Sequence, residues 1–379
     1  MGYREELVGQ DDAIAIIEAA AADPATLAHS WLITGPPGSG RSTLAYAFAG
    51  LLLAQGDGVD PDRALEMVES RTHPDLSVLA TDRVVITMEE VRQLVAASQF
   101  SPSVAQWRVV IIEDADRMTE RTSNVLLKAL EEPPPSTVWI LCAPSEADLL
   151  PTIRSRVRSV RLRVPSVDDV ARLLVARDHV PEELARRAAR GAQSHIGMAL
   201  RLATDEAARR RRDRTVEVAL GIRTASDAVI AAAELLDLAK EDAEAYGRQQ
   251  DEAERAALLR SLGVEEGGTI PAPLRAQVKQ LEEDQKRRAT RALRDGVDRI
   301  LVDLLSVWRD VLLVRLGVED ALVNREFDRL IRTAAERTTP QAALAALDAI
   351  TEARHRIDGN VPPLLALEAM AMMFRASPR

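Results

Sequence analysis

Several features that mark large protein classes are scarce in this 379-residue chain. It holds one cysteine, Cys142, which excludes a disulfide framework and a zinc site built from several cysteines. No apolar run approaches the roughly 18–20 residues of a membrane span, and residues 1–30 lack the basic-then-apolar pattern of a secretion leader. Aromatic residues make up only 3%, which favours helices over an all-β architecture. These absences predict a cytoplasmic protein with no membrane partner.

The charge balance limits the function further. Lysine and arginine number 49 and the acidic residues 59, so the formal net charge is −10. A chain this acidic does not coat nucleic acid through bulk charge, although a local basic face can still contact a phosphate backbone. Apolar residues make up 46%, which is enough for ordinary hydrophobic cores, and the length indicates two or three domains.

The pattern along the chain changes character twice. Residues 30–163 alternate short apolar runs, typical of buried parallel strands, with helical stretches. This alternation predicts an α/β domain over residues 1–163, a parallel sheet flanked by helices. A small helical domain is expected at 164–206 and an all-α domain at 207–379. The predicted strands cover 30–34, 76–79, 108–112, 138–142 and 160–162, and the clearest predicted helices cover 43–54, 88–99 and 119–132.

The third zone carries the strongest helical signal of the chain. Apolar residues recur every three or four positions from Leu293 to Leu312, which places one wide apolar stripe on a helix. A charged insertion covers about 235–290 and is interrupted at 263–273. It predicts an exposed helical hairpin or a mobile insertion.

One motif carries chemistry: residues 35–43 (GPPGSGRST) fit the phosphate-binding loop, in which glycine, four residues, glycine, a basic residue and Ser or Thr follow one another. Glycines let backbone N–H groups curl around phosphate oxygens, and the helix that follows adds partial positive charge. The loop stands between a predicted strand and a predicted helix, as the motif requires, and a plain Gly/Pro turn is the alternative. The candidate nucleotide ligands here are Gly35, Gly38, Gly40, Arg41, Ser42 and Thr43.

Arg41 is a departure from the motif, because lysine is usual at this position. A guanidinium is a planar fork and an ammonium a compact point charge, so the exchange still permits phosphate binding but compromises the geometry for hydrolysis. Ser42 is placed to reach a magnesium ion.

Acidic residues follow the predicted strand 108–112. Glu113 and Asp114 stand where such side chains commonly hold magnesium and polarise water. The alternative is that these acidic residues simply begin a loop after the strand. Most ATPases of this type have Asp and then Glu, so the shorter carboxylate here occupies the water-activating position.

Two further residues complete the candidate site. Ser145 follows the predicted strand 138–142, where a small polar residue can orient the attacking water. Arg156 precedes the last predicted strand, and an arginine at such an edge can enter a neighbour's active site. An ordinary surface ion pair is the alternative for Arg156.

Taken in this order, the motifs resemble the AAA+ clamp-loader subunits. The likeness rests on four stretches: residues 7–10 (LVGQ), 124–134 (NVLLKALEEPP), 149–156 (LLPTIRSR) and 358–368 (DGNVPPLLALE). It covers nearly the whole chain and is weakest at 235–290. The resemblance implies a AAA+ domain, a small helical lid domain and a helical collar domain used in oligomerisation.

The departures resemble the delta-prime subunits of bacterial DNA polymerase III. Motor subunits of the family carry a loop lysine, an Asp-Glu pair and a lid arginine, which would fall at Gly197 or Met198. All three are altered here, whereas Arg156 is retained. The resemblance therefore implies a stator that hydrolyses little ATP and gives Arg156 to a neighbouring ATPase as an arginine finger. A catalytically active motor-type subunit or other AAA+ ATPase is the alternative, and a DNA-binding scaffold unrelated to nucleotide is a third.

The same resemblance implies partners and cofactors. The partners are the gamma/tau motor subunits, the delta subunit, the sliding clamp reached through the complex, and primed DNA. The implied cofactor is ATP with magnesium in a degenerate site, and whether nucleotide binds there is left open. Many relatives hold a four-cysteine zinc module, but residues 54–74 contain no cysteine, so no zinc is expected. Five arginines at 209–212 and 214 fit either a solvated helix paired with carboxylates or a DNA contact inside a loader ring.

Overall fold

The computed structural model describes residues 3–56, 59–81, 85–261, 275–318 and 322–375. The chain divides into two units, Met1–Ala203 and Thr204–Arg379. Among the residues so described, no helix has the length and apolar character needed to cross a membrane. The finer division into three domains, with boundaries after residues 163 and 206, stays a prediction.

A five-stranded parallel sheet forms the centre of the first unit. The strands follow one another across the sheet in the order β2-β3-β4-β1-β5, and each neighbouring pair is parallel. The predicted strands are confirmed with shifts of one or two residues at the last two. The bounds are β1 Ser30–Thr34, β2 Leu76–Leu79, β3 Arg108–Ile112, β4 Thr137–Ala143 and β5 Arg158–Arg161.

Helices cover both faces of this sheet. Alternate residues of β1 enter two different cores: Trp31 and Ile33 pack on one side, and Leu32 packs on the other. Burial on both faces explains why the strands read as continuous apolar runs in the sequence. The helices of the first unit are α1 Tyr3–Glu6, α2 Asp11–Ala22, α3 Arg41–Leu53, α4 Pro61–Glu69, α5 Met88–Ser98, α6 Glu120–Glu131, α7 Pro151–Arg154, α8 Val167–Asp178, α9 Glu182–Gly191 and α10 Ile196–Thr204.

The second unit is all helical. The predicted apolar stripe lies on α13, where Val297, Leu304 and Val311 are fully or almost fully buried in one core. A Cβ on Gly296 would lie 2.9 Å from the backbone oxygen of Ala239, so the absence of a side chain lets α12 and α13 approach closely. The helices of this unit are α11 Glu206–Gly221, α12 Ala225–Ser261, α13 Arg275–Arg315, α14 Asp328–Glu336, α15 Pro340–Asp358 and α16 Pro363–Ala371.

The predicted fold class is confirmed: an α/β domain with a parallel sheet flanked by helices is followed by helical regions. The charged insertion is helical where the structure describes it, in α12 and α13. The interruption expected at 263–273 lies outside the described residues.

Candidate functional site

The phosphate-type loop joins β1 to α3, as the sequence predicts. Gly38 (φ +76°) and Gly40 (φ +94°) both adopt the left-handed backbone region that favours glycine. A Cβ on Gly35 would lie 2.6 Å from Ser39 Oγ and 2.8 Å from Leu162 Cβ. The loop is therefore tightly folded and tolerates no side chain at its first glycine without displacement of a neighbour.

Arg41 is the first residue of α3, and its guanidinium bends back over the loop. Nη1 donates to the carbonyl oxygen of Gly35 at 3.1 Å, and Nη2 lies 3.7 Å from Asp114 Oδ1. The side chain that would meet the terminal phosphates is thus engaged by the loop itself and by an acidic residue of the same site.

Glu113 lies directly after β3 and is surrounded by donors of its own chain. Ser42 Oγ donates to Glu113 Oε2 at 2.9 Å, and Tyr46 OH donates to Oε1 at 2.7 Å. Arg71 Nη2 lies 3.2 Å from the same Oε1. The structure therefore brings together Ser42 and Glu113, as expected for a magnesium site, but both carboxylate oxygens already accept hydrogen bonds.

Sequence reasoning missed Tyr46 and Arg71. Tyr46 follows Ser42 by four residues, so both lie on one face of α3, and that spacing was an available signal. Burial, followed by the hydrogen bond to Glu113, raises the pKa of Tyr46, so the hydroxyl remains a donor. Arg71 reaches the site from a left-handed turn after α4 (φ +58°) and stacks on Tyr46, with Cζ 4.9 Å from the ring centroid. No pattern in the sequence announces such a turn.

Asp114 also faces cationic groups of its own chain. Its backbone is left-handed (φ +51°), and its Oδ2 lies 3.3 Å from Arg117 Nε, in addition to the Arg41 contact on Oδ1. Two residues on, burial and then the nearby Asp114 charge raise the pKa of Asp116. The acidic segment thus forms a compact network with basic side chains.

Ser145 makes local contacts at the end of β4. Its Oγ accepts the backbone N–H of Ala147 at 3.2 Å, and its own N–H donates to Asp148 Oδ2 at 2.9 Å. These two bonds cap the short 3-10 turn Glu146–Asp148. A role in orienting water stays a prediction.

Arg156 lies between α7 and β5 and is partly exposed, with 35% of its side-chain surface accessible. Nη2 lies 2.5 Å from Glu131 Oε1, at the end of α6. Nη1 donates to the carbonyl oxygen of Thr152 at 2.8 Å and to Ser155 Oγ at 3.0 Å. Within this chain Arg156 therefore makes the surface ion pair that the sequence left as an alternative.

The two positions at which the resemblance would place a lid arginine lie at the start of α10. Gly197 and Met198 occupy its first turn, and neither supplies a charged side chain. The residue before the helix, His195, lies against the phosphate-type loop instead, and its ring contacts Gly38. The sequence located this segment without predicting that contact.

Comparison with known proteins finds similarity to subunits of DNA polymerase III. The family described as DNA polymerase III, delta subunit, matches residues 9–166, which is less than half of the chain. The DNA polymerase III subunit delta' of Pseudomonas aeruginosa is 36% identical over 135 residues, or 34% of this chain and 41% of that protein. The subunit delta' of Bacillus subtilis is 23% identical over 352 residues, or 92% of this chain and 91% of that protein.

The chain is a homologue of the delta-prime subunits of DNA polymerase III. The resemblance drawn from the motifs is thereby confirmed at the level of a clamp-loader subunit. The DNA polymerase III subunit gamma/tau of Mycobacterium tuberculosis is also similar, 30% identical over 164 residues, or 42% of this chain and 28% of that protein. The match to the Pseudomonas subunit spans less than half of that protein, whereas the match to the Bacillus subunit extends over nearly all of it.

The phosphate-type loop raises the question of nucleotide, and the side chains around it fit a magnesium-bound nucleotide poorly. The residues that would hold magnesium, Ser42 and Glu113, bond to each other, and Arg71 already supplies a positive charge beside Glu113. Arg41 is folded onto the loop carbonyl of Gly35. Among the residues whose placement is described, no three His, Cys, Asp or Glu side chains gather as a metal site.

The arginine cluster of the delta-prime homologue lies on α11 in the second unit. Arg212 is only 7% exposed, and it pairs with Asp303 (Nε–Oδ1 3.0 Å) and Glu326 (Nη1–Oε1 3.1 Å). Arg211 and Arg214 also pair with carboxylates, Asp242 at 3.0 Å and Glu234 at 2.6 Å, respectively. These contacts favour the interpretation of a helix paired with carboxylates over that of a DNA-binding face.

Proposed function

We propose that this chain is the stator of a DNA polymerase III clamp loader, which hydrolyses little or no ATP and supplies Arg156 to a neighbouring ATPase subunit. The observation that carries the proposal is the state of Glu113. Three donors of the same chain, Ser42, Tyr46 and Arg71, occupy its carboxylate. A carboxylate engaged in this way is poorly placed to polarise an attacking water or to hold a metal ion.

The basic residue of the loop supports the same conclusion. Catalysis of phosphoryl transfer depends almost entirely on positioning and charge stabilisation, so the loop cation must face the terminal phosphates. Arg41 instead donates to Gly35 of its own loop, and its fork differs from a lysine ammonium in shape and hydration. The lid adds no arginine at Gly197 or Met198.

Arg156 is suited to action in a neighbour. Its ion pair with Glu131 joins two partly exposed side chains, and exposed pairs of this kind contribute only about 0–1 kcal/mol. The triphosphate of an adjacent subunit carries more negative charge than one carboxylate. The guanidinium can therefore exchange Glu131 for that phosphate at little cost. Its hydrogen bonds to Thr152 and Ser155 hold the side chain against the end of α7 until then.

The remaining assignments follow from the family. The proposed partners are the gamma/tau motor subunits and the delta subunit, with the sliding clamp and primed DNA reached through the assembled complex, in the cytoplasm. The proposed domains are a AAA+ nucleotide-binding-like domain at 1–163, a lid at 164–206 and a collar at 207–379. We expect no zinc, because residues 54–74 lack the cysteines of the zinc-bearing relatives.

ATP turnover by the purified chain tests the stator assignment. We expect the isolated chain to show no magnesium-dependent hydrolysis above the buffer background. Adding it to motor subunits, delta and clamp should raise the ATP turnover of those motor subunits. Robust hydrolysis by a homogeneous preparation, abolished by Glu113→Gln, would instead establish the motor-type alternative.

A further inference from the structure

The first residue of α10 and the residue before it contact the phosphate-type loop at two points. A Cβ on Gly38 would lie 2.3 Å from both Cγ and Nδ1 of His195, so the imidazole ring fills the space beside this glycine. The backbone N–H of Ile196 donates to the carbonyl oxygen of Gly38 at 3.3 Å. One ring contact and one backbone bond thus fasten the lid helices, α8–α10, to the middle of the loop.

Local structure holds the His195 ring in this position. Gln193 (φ +49°) and Ser194 (φ +64°) are two consecutive left-handed residues, a conformation that non-glycine residues adopt only when the surroundings impose it. His195 Nδ1 then accepts the backbone N–H of Met198 at 3.2 Å, which caps the first turn of α10. A Cβ on Gly197 would lie 3.6 Å from the ring. The ring is therefore oriented by its own helix before it meets the loop.

The loop beneath His195 is bonded to itself. The N–H of Ser39 donates to the carbonyl oxygen of Pro36 at 3.2 Å, although a phosphate loop binds its ligand with backbone N–H groups turned to the phosphate. Ser39 Oγ is buried and has no hydrogen-bond partner among the described residues. The loop thus keeps an unused buried hydroxyl in its centre, where a phosphate oxygen could accept its hydrogen.

We propose that His195 is a latch that fastens the lid helices to the phosphate-type loop, and that the phosphate groups of a nucleotide compete with this latch for the loop. The proposal deepens the stator assignment, and it rests on that assignment only in taking the loop as one that no longer turns over ATP. The poor fit of the loop to nucleotide then has two separable causes. The side chains of Arg41 and Glu113 are already engaged by groups of their own chain, and the lid helices are held against the loop.

His195→Ser separates the latch from the helix cap. A serine hydroxyl is a good N-cap acceptor, so the first turn of α10 keeps its bond at Met198 while the ring is removed. His355→Ser, on an exposed position of α15 in the other unit, is the matched control. The probes are ATP and ADP, each with and without magnesium, titrated into the full-length chain by calorimetry.

A ligand that binds only the open loop has an apparent affinity equal to its intrinsic affinity multiplied by the open fraction. A latch that is closed nine times in ten therefore weakens binding by about tenfold. We expect His195→Ser to bind ATP or ADP at least about tenfold more tightly than wild type, with His355→Ser unchanged. An affinity for His195→Ser within about twofold of wild type overturns the latch.

A double-mutant cycle checks the contact without any nucleotide. Gly38→Ala should destabilise the wild type through both its positive φ and the overlap with the ring, whereas in His195→Ser only the φ cost remains. Strictly additive costs would contradict the contact.

If His195→Ser binds and also hydrolyses ATP, the latch stands and the stator assignment fails. If it neither binds nor hydrolyses, the latch fails and the stator assignment stands.

Discussion

The phosphate-type loop and the Arg156 segment belong to the same α/β unit, yet they use charge in opposite ways. Around the loop, Arg41 and Glu113 are each engaged by groups of their own chain. Arg156 has one exposed carboxylate partner, Glu131, whose side chain is 45% accessible. A network in which one largely buried carboxylate, Glu113, holds several donors is more costly to open than a single surface ion pair. The difference is what the proposed stator requires, namely a loop whose charges are engaged within the chain and an arginine that is exposed at the surface.

Removal of Arg156 should have the largest effect, a loss of ATP turnover in the assembled loader. In a loader reconstituted from motor subunits, delta and clamp, Arg156→Ala should lower ATP turnover by about 10³-fold, because trans-acting arginine fingers contribute about 10³–10⁵ in rate. The isolated variant should remain folded, since a partly exposed side chain supplies little core packing. Steady-state phosphate release with clamp and primed DNA is the measurement.

Two neighbouring arginines are the controls for this variant. Arg154 lies at the end of α7 and shares the local charge, so Arg154→Ala should retain turnover. Arg158 shares the charge as well but stacks on Trp31, with Cζ 4.9 Å from the ring, so Arg158→Ala also reports lost packing. An equal fall for all three variants, or none for Arg156→Ala, would leave Arg156 as a surface ion-pair partner.

A buried ion pair in the same unit sharpens the comparison. Asp75 is fully buried and accepts from Ser103 N (2.6 Å), Val104 N (2.8 Å) and Ala105 N (2.9 Å), with Arg108 Nη2 at 3.3 Å. Asp75→Asn turns an amide N–H₂ toward these donors and leaves Arg108 buried without its counter-charge. We expect a loss of about 3 kcal/mol in the free energy of unfolding of the first unit, measured by urea denaturation.

The control for Asp75 is an exposed acidic residue. Asp168 is 70% accessible and lies 3.8 Å from Arg186. Asp168→Asn should change stability by no more than about 0.5 kcal/mol, since exposed pairs contribute little. Comparable losses for the two substitutions would mean that the Asp75 network is not a special support of the loop at 101–106.

The reactivity of the Cys142 thiol measures whether solvent and reagents reach the end of β4 beneath the loop. Its sulfur is buried in β4, with Sγ 3.9 Å from the carbonyl oxygen of Arg41, and burial raises the pKa of the thiol to about 12. Iodoacetamide requires an accessible thiolate, so folded protein should react at least about 10²-fold more slowly than urea-unfolded protein. Rapid labelling of the folded chain would show that the loop and α3 open frequently.

The stability that Asp75 supplies should depend on pH in one direction. Burial opposes its charge, but the N–H donors of Ala105, Ser103 and Val104 prevail and hold the pKa of Asp75 below its ordinary value of 3.8. A lowered folded-state pKa gives stability that is complete above the unfolded value and is lost as pH falls through the folded value. The difference in urea midpoint between wild type and Asp75→Asn should therefore be constant near neutrality and shrink below about pH 4. A difference that grows on acidification would refute this assignment.

The sequence predicted the sheet and the loop because both leave local marks. Apolar runs bounded by glycine, proline or charge locate β1 to β4 closely, and the spacing of residues 35–43 locates the loop. The sequence could not predict which side chains engage the charges of the site. Arg71 reaches it from a left-handed turn, and His195 from the turn before α10, more than 150 residues further along the chain. The helix α4, Pro61–Glu69, was also missed, although Asp60 caps it in the expected manner.

The contrast between the loop and the Arg156 segment can be tested in one reconstituted loader. ATP turnover is measured with wild-type chain, Arg156→Ala and Glu113→Gln under identical conditions. We expect turnover to fall by about 10³-fold only with Arg156→Ala, and to stay within about twofold of wild type with Glu113→Gln. The reverse pattern, loss with Glu113→Gln and none with Arg156→Ala, would show that this chain is itself a motor and would contradict the account.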